Sequence, residues 1–124
     1  MKVIATEKAP GAIGPYSQGF IAGGFVYTSG QIPVNPADGT VPEGIAAQTE
    51  QSCKNVGAIL EAAGLTMDNV VKTTVFLQNM GDFAAMNAVY AEFFTEGQYP
   101  ARSAVEVGAL PRGALVEIET ICVK

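Results

Sequence analysis

Val70-Val-Lys-Thr-Thr-Val-Phe-Leu77 decides the fold, because this β-branched stretch lies between two segments whose apolar residues recur at helical spacing. From about Gly44 to Ala63, the residues Cys53, Val56, Ile59, Leu60 and Ala63 share one face, Glu50, Lys54 and Glu61 lie outside it, and Gly64 supplies the stop. A second helix is predicted from about Asp82, placed as an N-cap, to Phe94, with Met86, Val89, Tyr90, Phe93 and Phe94 on its apolar side. Upstream, strands are expected at about Lys2 to Thr6, Tyr16 to Ile21 and Phe25 to Ile32, the last two folded around Ala22-Gly-Gly24. Downstream, Arg102 to Val107 and Ala114 to Val123 close the pattern around Gly108-Ala-Leu-Pro-Arg-Gly113. The order β-β-β-α-β-α-β-β describes an α+β fold, a mixed sheet with two helices on one face, in one domain spanning residues 1–124. Such a sheet leaves its other face uncovered in a single chain.

Composition points the same way. The chain is 48% apolar and only 15% charged, and its mean hydropathy is +0.25. That is high for a small monomer, so apolar faces between subunits are expected. A net charge of −5 with seven scattered Lys and Arg gives no basic run, which disfavours a nucleic-acid partner. The chain has no histidine, so Ser-His-Asp hydrolysis, Cys-His chemistry and histidine-ligated zinc are excluded. Cys53 and Cys122 lack metal-ligand spacing and read as buried free thiols. With no signal-peptide pattern and no membrane-length apolar run, the protein is expected to be cytoplasmic, without a membrane partner.

Arg102, one of two arginines, opens the strand Arg102-Ser-Ala-Val-Glu-Val107 after Pro100. Alternation puts Val105 and Val107 on one face, expected to line the core, and Arg102, Ala104 and Glu106 on the other. A guanidinium on the uncovered face calls for a carboxylate or phosphate. The ordinary alternative is a salt bridge to Glu106, Glu117 or Glu119. In the third strand Tyr27, Ser29 and Gln31 are expected on one face, and Val26, Thr28 and Ile32 on the other. Glu117 and Glu119 share a strand face, where a solvated surface is the usual explanation of paired carboxylates. Tyr16 follows Gly14-Pro15 and reads about equally as a core-packed ring, whereas Ser29, before Gly30, can cap a turn or donate to a ligand, and its type favours the turn. The glycines form neither a dinucleotide fingerprint nor a phosphate loop, so no nucleotide cofactor is expected.

Three segments at these separations, Ile13-Gly-Pro-Tyr-Ser-Gln18, Thr28-Ser-Gly-Gln-Ile-Pro33 and Pro100-Ala-Arg-Ser103, resemble the RidA/YjgF reactive-intermediate deaminases. Val71-Lys-Thr-Thr-Val75 and Val116-Glu-Ile-Glu-Thr-Ile121 look like further signatures of that family, and the likeness spans essentially the whole chain. The resemblance implies a chorismate mutase-like fold and a homotrimer with ligand clefts between subunits. It implies hydrolysis of 2-enamino and 2-imino acids, such as 2-aminoacrylate and 2-aminocrotonate, to 2-keto acids and ammonia, with no metal and no cofactor. By position it implies Arg102 as carboxylate anchor, Glu117, Tyr16 and Ser29 as its catalytic companions, and Gly30 beside them at the substrate. Ala104 stands where many members carry cysteine, so no thiol nucleophile is expected there. The family has also carried the names endoribonuclease and translation initiation inhibitor, which makes RNA cleavage the rival activity. A trimer that binds small carboxylates without turnover is the third reading.

Overall fold

The computed structural model describes residues 1–124. Six strands, β1 (Lys2–Ile4), β2 (Gly19–Ala22), β3 (Phe25–Gln31), β4 (Val70–Leu77), β5 (Ala101–Glu106) and β6 (Val116–Val123), are joined with α1 (Ile45–Ala62) and α2 (Phe83–Tyr90) in the expected order. They form one sheet ordered β1-β2-β3-β6-β4-β5. The β4–β5 pair is parallel and the other neighbours are antiparallel. The parallel pair needs a crossover, and α2 supplies it.

Both helices pack on the same sheet face. Val26, Val75, Leu77, Val116 and Ile118 of the sheet meet Val56, Ile59 and Leu60 of α1 and Met86 of α2 in one buried cluster. Each such side chain contributes on the order of 1.5–3 kcal/mol by leaving water. The helical spacing read from sequence thus carries through to packing. Gly64, at φ 76°, takes the left-handed turn that ends α1.

Polar residues on the inner side of α1 fasten the loops above the sheet. Asn55 donates to the carbonyls of Ile32 and Val34, at 3.2 and 2.9 Å. Gln48 donates to the Pro42 carbonyl at 3.0 Å and accepts from the Leu115 N–H at 2.8 Å. Gln18 holds the segment before β2, accepting from the Thr6 N–H and donating to the Pro10 carbonyl, both at 2.7 Å. These buried amides satisfy loop backbone that would otherwise be stranded away from water.

Several expectations change. The second strand begins at Gly19 rather than Tyr16, so Tyr16 belongs to the loop, where its N–H bonds the Gly14 carbonyl at 2.9 Å. The second helix is shorter than Asp82 to Phe94, its ends tightening into 3-10 turns at Met80–Asp82 and Ala91–Phe93. Asp82 occupies the cap position, but its side chain makes no capping bond. In β3 the register against β6 shifts between Thr28 and Gln31, so Gln31 pairs with buried Ile118 and is itself buried. Strict alternation had placed it beside Tyr27 and Ser29. The bulge turns it over.

The assignment of β5 faces is inverted. Arg102, Ala104 and Glu106 pair with Thr73, Val75 and Leu77, which are buried beneath the helices, so all three point to the helix side. Val105, opposite Phe76, lies on the open face and is 42% exposed. The cause is pairing: an edge strand takes its face from the neighbour it joins, and β4 fixes which residues look inward.

Candidate active site

Arg102 is framed by α2. Its Nη1 donates to Asn87 Oδ1 at 2.7 Å, and the guanidinium carbon lies 4.9 Å from the Tyr90 ring centre and 5.3 Å from that of Phe83. The Tyr90 hydroxyl is bonded to Thr73 Oγ1 at 2.7 Å, which fixes the ring from behind. Burial pushes the Tyr90 phenol up, with Thr73 and the Arg102 charge pulling it back. A cleft of about 430 Å³ opens beside the guanidinium, lined also by Asn87, Tyr90, Ala91, Tyr99 and Pro100. The salt-bridge alternative does not hold: the ion pairs of the fold are Lys8–Glu61 and Lys54–Glu50. Glu106 instead accepts from the Met80 N–H at 2.8 Å. Arg102 therefore keeps an uncompensated charge facing a cleft.

Glu117 lies on the other sheet face. It pairs with Phe76 in register, between the buried residues Val116 and Ile118. Burial raises its pKa above the ordinary glutamate value, and the like charge of Glu119 on the same face raises it further. Gly30 sits directly over it. A methyl at Gly30 would overlap the Glu117 carboxylate, so the residue type at 30 sets how closely that carboxylate approaches the chain. Ser29 is tied down beside it: its hydroxyl donates to the Ser17 carbonyl at 2.5 Å, and its N–H bonds the Gln18 carbonyl at 2.8 Å. The Ser29 oxygen keeps accepting capacity for a water or an N–H.

Tyr16 and Gly30 line a cleft of about 320 Å³ with Pro10, Ile13, Ile32 and Arg112. Tyr16 is 52% exposed, and its hydroxyl accepts weakly from the Ile13 N–H at 3.4 Å. It is held by the loop rather than packed in the core.

The structure thus sorts the five expected site residues into two groups. Ser29, Gly30 and Glu117 come together, with Tyr16 across the cleft from Gly30, whereas Arg102 stands apart on the helix side of the sheet. The first group offers a half-buried carboxylate that can take or hold a proton and a hydroxyl that can orient water. The second offers a planar cation for a carboxylate. Asn87 and Phe83 were missed by counting apolar residues along α2. Their spacing with Tyr90, at 83, 87 and 90, places all three on one stripe, and a polar residue within an apolar stripe was the available signal. No three His, Cys, Asp or Glu side chains gather as metal ligands would.

Comparison with known proteins bears on this geometry. The family model described as Endoribonuclease L-PSP matches residues 6–124. The 2-iminobutanoate/2-iminopropanoate deaminase of Escherichia coli strain K12 is 57% identical over 125 residues, covering 99% of this chain and 98% of the relative. The crystal structure of the E. coli YjgF gene product superposes with a TM-score of 0.96 at 56% identity, covering 100% of this chain and 99% of the other. E. coli TdcF, solved with bound serine, gives a TM-score of 0.96 at 49% identity with the same coverage.

Proposed function

The chain belongs to the Endoribonuclease L-PSP family, that of the RidA/YjgF proteins, and from this premise we propose that it hydrolyses 2-enamino and 2-imino acids to 2-keto acids and ammonia. One observation carries the reading beyond likeness: a charge-uncompensated Arg102 faces a cleft on one side of the sheet, and a raised-pKa Glu117 with Ser29 and Gly30 waits on the other. The two halves have the chemistry that a small imino acid requires.

A homotrimer with clefts between adjacent subunits supplies the missing proximity. Phe25, Tyr27, Val105 and Val123 all expose apolar surface on the open sheet face, which supports its burial by another copy. In that assembly Arg102 of one subunit meets Glu117, Ser29, Gly30 and Tyr16 of the next. The guanidinium grips the substrate carboxylate with two parallel bonds and fixes its orientation. The enamine takes a proton on carbon and becomes the imine. Water, oriented by Ser29 and Tyr16, adds to the carbon of the protonated imine while Glu117 accepts its proton, giving the carbinolamine; Glu117 returns that proton to nitrogen, the C–N bond breaks as the hydroxyl proton passes to Glu117, and ammonia leaves. A carboxyl with raised pKa suits both halves of that transfer. The buried, unpaired Cys53 and Cys122 fit the reducing, cytoplasmic location expected of the chain.

RNA cleavage is disfavoured by the net charge of −5 and by the absence of histidine. The deciding experiment measures 2-keto acid formation from enamine generated in situ against the spontaneous rate. Acceleration by catalytic amounts of protein supports the deaminase. Tight binding of the keto acid without acceleration supports a ligand-binding trimer, and RNA cleavage with steep salt dependence supports the nuclease.

A further inference from the structure

We propose that Asn87 is a positioning residue that orients Arg102 through a neutral acceptor, so that the guanidinium is fixed in direction while its charge stays free for the substrate carboxylate. The inference rests on the reading of Arg102 as the carboxylate anchor. An arginine on an edge strand samples many rotamers, and a fork that must meet a planar carboxylate gains from being held beforehand. Here it is held from three sides. Phe83 and Tyr90 contact the guanidinium at 5.3 and 4.9 Å, and Asn87 Oδ1 takes Nη1 at 2.7 Å. Tyr90 is itself fixed by Thr73 at 2.7 Å and packed on Phe94 with ring centres 4.7 Å apart. Of the five guanidinium donors, Asn87 accounts for one, and Arg102 lines the cleft.

The residue type at 87 is the informative part. Aspartate would make a stronger bond to the same nitrogen, but it would also neutralise Arg102 and compete with the anion that the cleft is to receive. Asparagine supplies the oxygen without the charge. No carboxylate of this chain pairs with Arg102, and Glu106, on the same strand and face, is engaged by the Met80 N–H. An orienting hydrogen bond and an unspent charge coexist only with a neutral acceptor.

The test compares steady-state kinetics of wild type, Arg102→Ala, Asn87→Ala and Asn87→Asp on 2-aminoacrylate generated in situ, with binding of 2-oxobutanoate titrated alongside. Asn87→Ala should raise KM roughly tenfold and change kcat less than about threefold, because binding common to ground and transition states is lost. Asn87→Asp keeps the acceptor, yet should raise KM and weaken keto-acid binding at least as much. A merely structural hydrogen bond would give the opposite, with aspartate restoring wild-type KM, and that result overturns the proposal. Wild-type KM in Asn87→Ala overturns it as well, while an inactive Arg102→Ala in the same series leaves the anchor reading standing. An Arg102→Ala enzyme that stays fully active removes the anchor itself, and the proposal with it.

Discussion

Arg102 and Glu117 stand on opposite faces of the same sheet. Arg102 pairs with Thr73, which is buried against α2, while Glu117 pairs with Phe76 on the open side. Side chains on opposite faces of a sheet cannot close on one small ligand. If both serve one reaction, they serve it from different copies of the chain, and assembly is then part of the catalytic machinery.

Gly30→Ala should cut turnover more than about tenfold while shifting stability by less than about 1 kcal/mol. The added methyl collides with the end of the Glu117 side chain, which can swing aside cheaply and leave its working position. Steady-state rates and a thermal melt on the same preparation check both halves of this expectation.

The pH dependence should answer to Glu119. Its charge helps to hold the Glu117 pKa up, so Glu119→Gln should move the acidic limb of the kcat/KM profile to lower pH. A carboxyl raised in the folded state binds its proton more tightly there, and its stabilisation is complete below the unfolded pKa and lost as pH rises through the folded value. Wild type should therefore lose relative stability on going from about pH 4 to neutrality, and Glu119→Gln should lose less. Melting temperatures across that range decide it.

Arg102→Ala should abolish nearly all turnover, a loss beyond about a hundredfold, since two charge-assisted bonds disappear together. Arg102→Lys should recover little, because an ammonium cannot reproduce the fork. Contact with Phe83 and Tyr90 adds a stability cost of about 1 kcal/mol for the alanine variant. An unchanged melting curve would show that the aromatic frame contributes nothing.

Ala104→Cys should alter the rate by less than about threefold. Residue 104 points to the helix layer opposite Val75. In that layer burial pushes the Cys53 thiol up to about 12. Ala104 packs only partly against the buried cluster, with Arg102 and Glu106 on the same strand face, so a rate change beyond about tenfold in steady-state assays would contradict this expectation.

Much of the fold was legible. β4 has the limits its β-branched run suggested, and α1 lies within a residue of them at either end. Spacing reveals that a strand has two faces, but not which of them a helix covers. In β5 apolar Val105 looked like core, yet the edge strand takes its register from β4, and the apolar residue is left outside. A bulge such as that between Thr28 and Gln31 leaves no periodic trace, so the burial of Gln31 could not be read. Arg102 drew notice as a permanent cation at a strand start, with a salt bridge as its ordinary explanation, whereas Asn87 acquires meaning only once α2 is laid over β5.

The shared-site claim is tested most directly by recombining two inactive proteins, Arg102→Ala and Glu117→Gln, after denaturing and refolding an equal mixture. If each site joins Arg102 of one subunit to Glu117 of the next, random assembly pairs two intact halves in about a quarter of the interfaces. The mixture should then regain up to about a quarter of wild-type turnover. A mixture that assembles normally and stays as inactive as its parents would contradict a site shared between subunits.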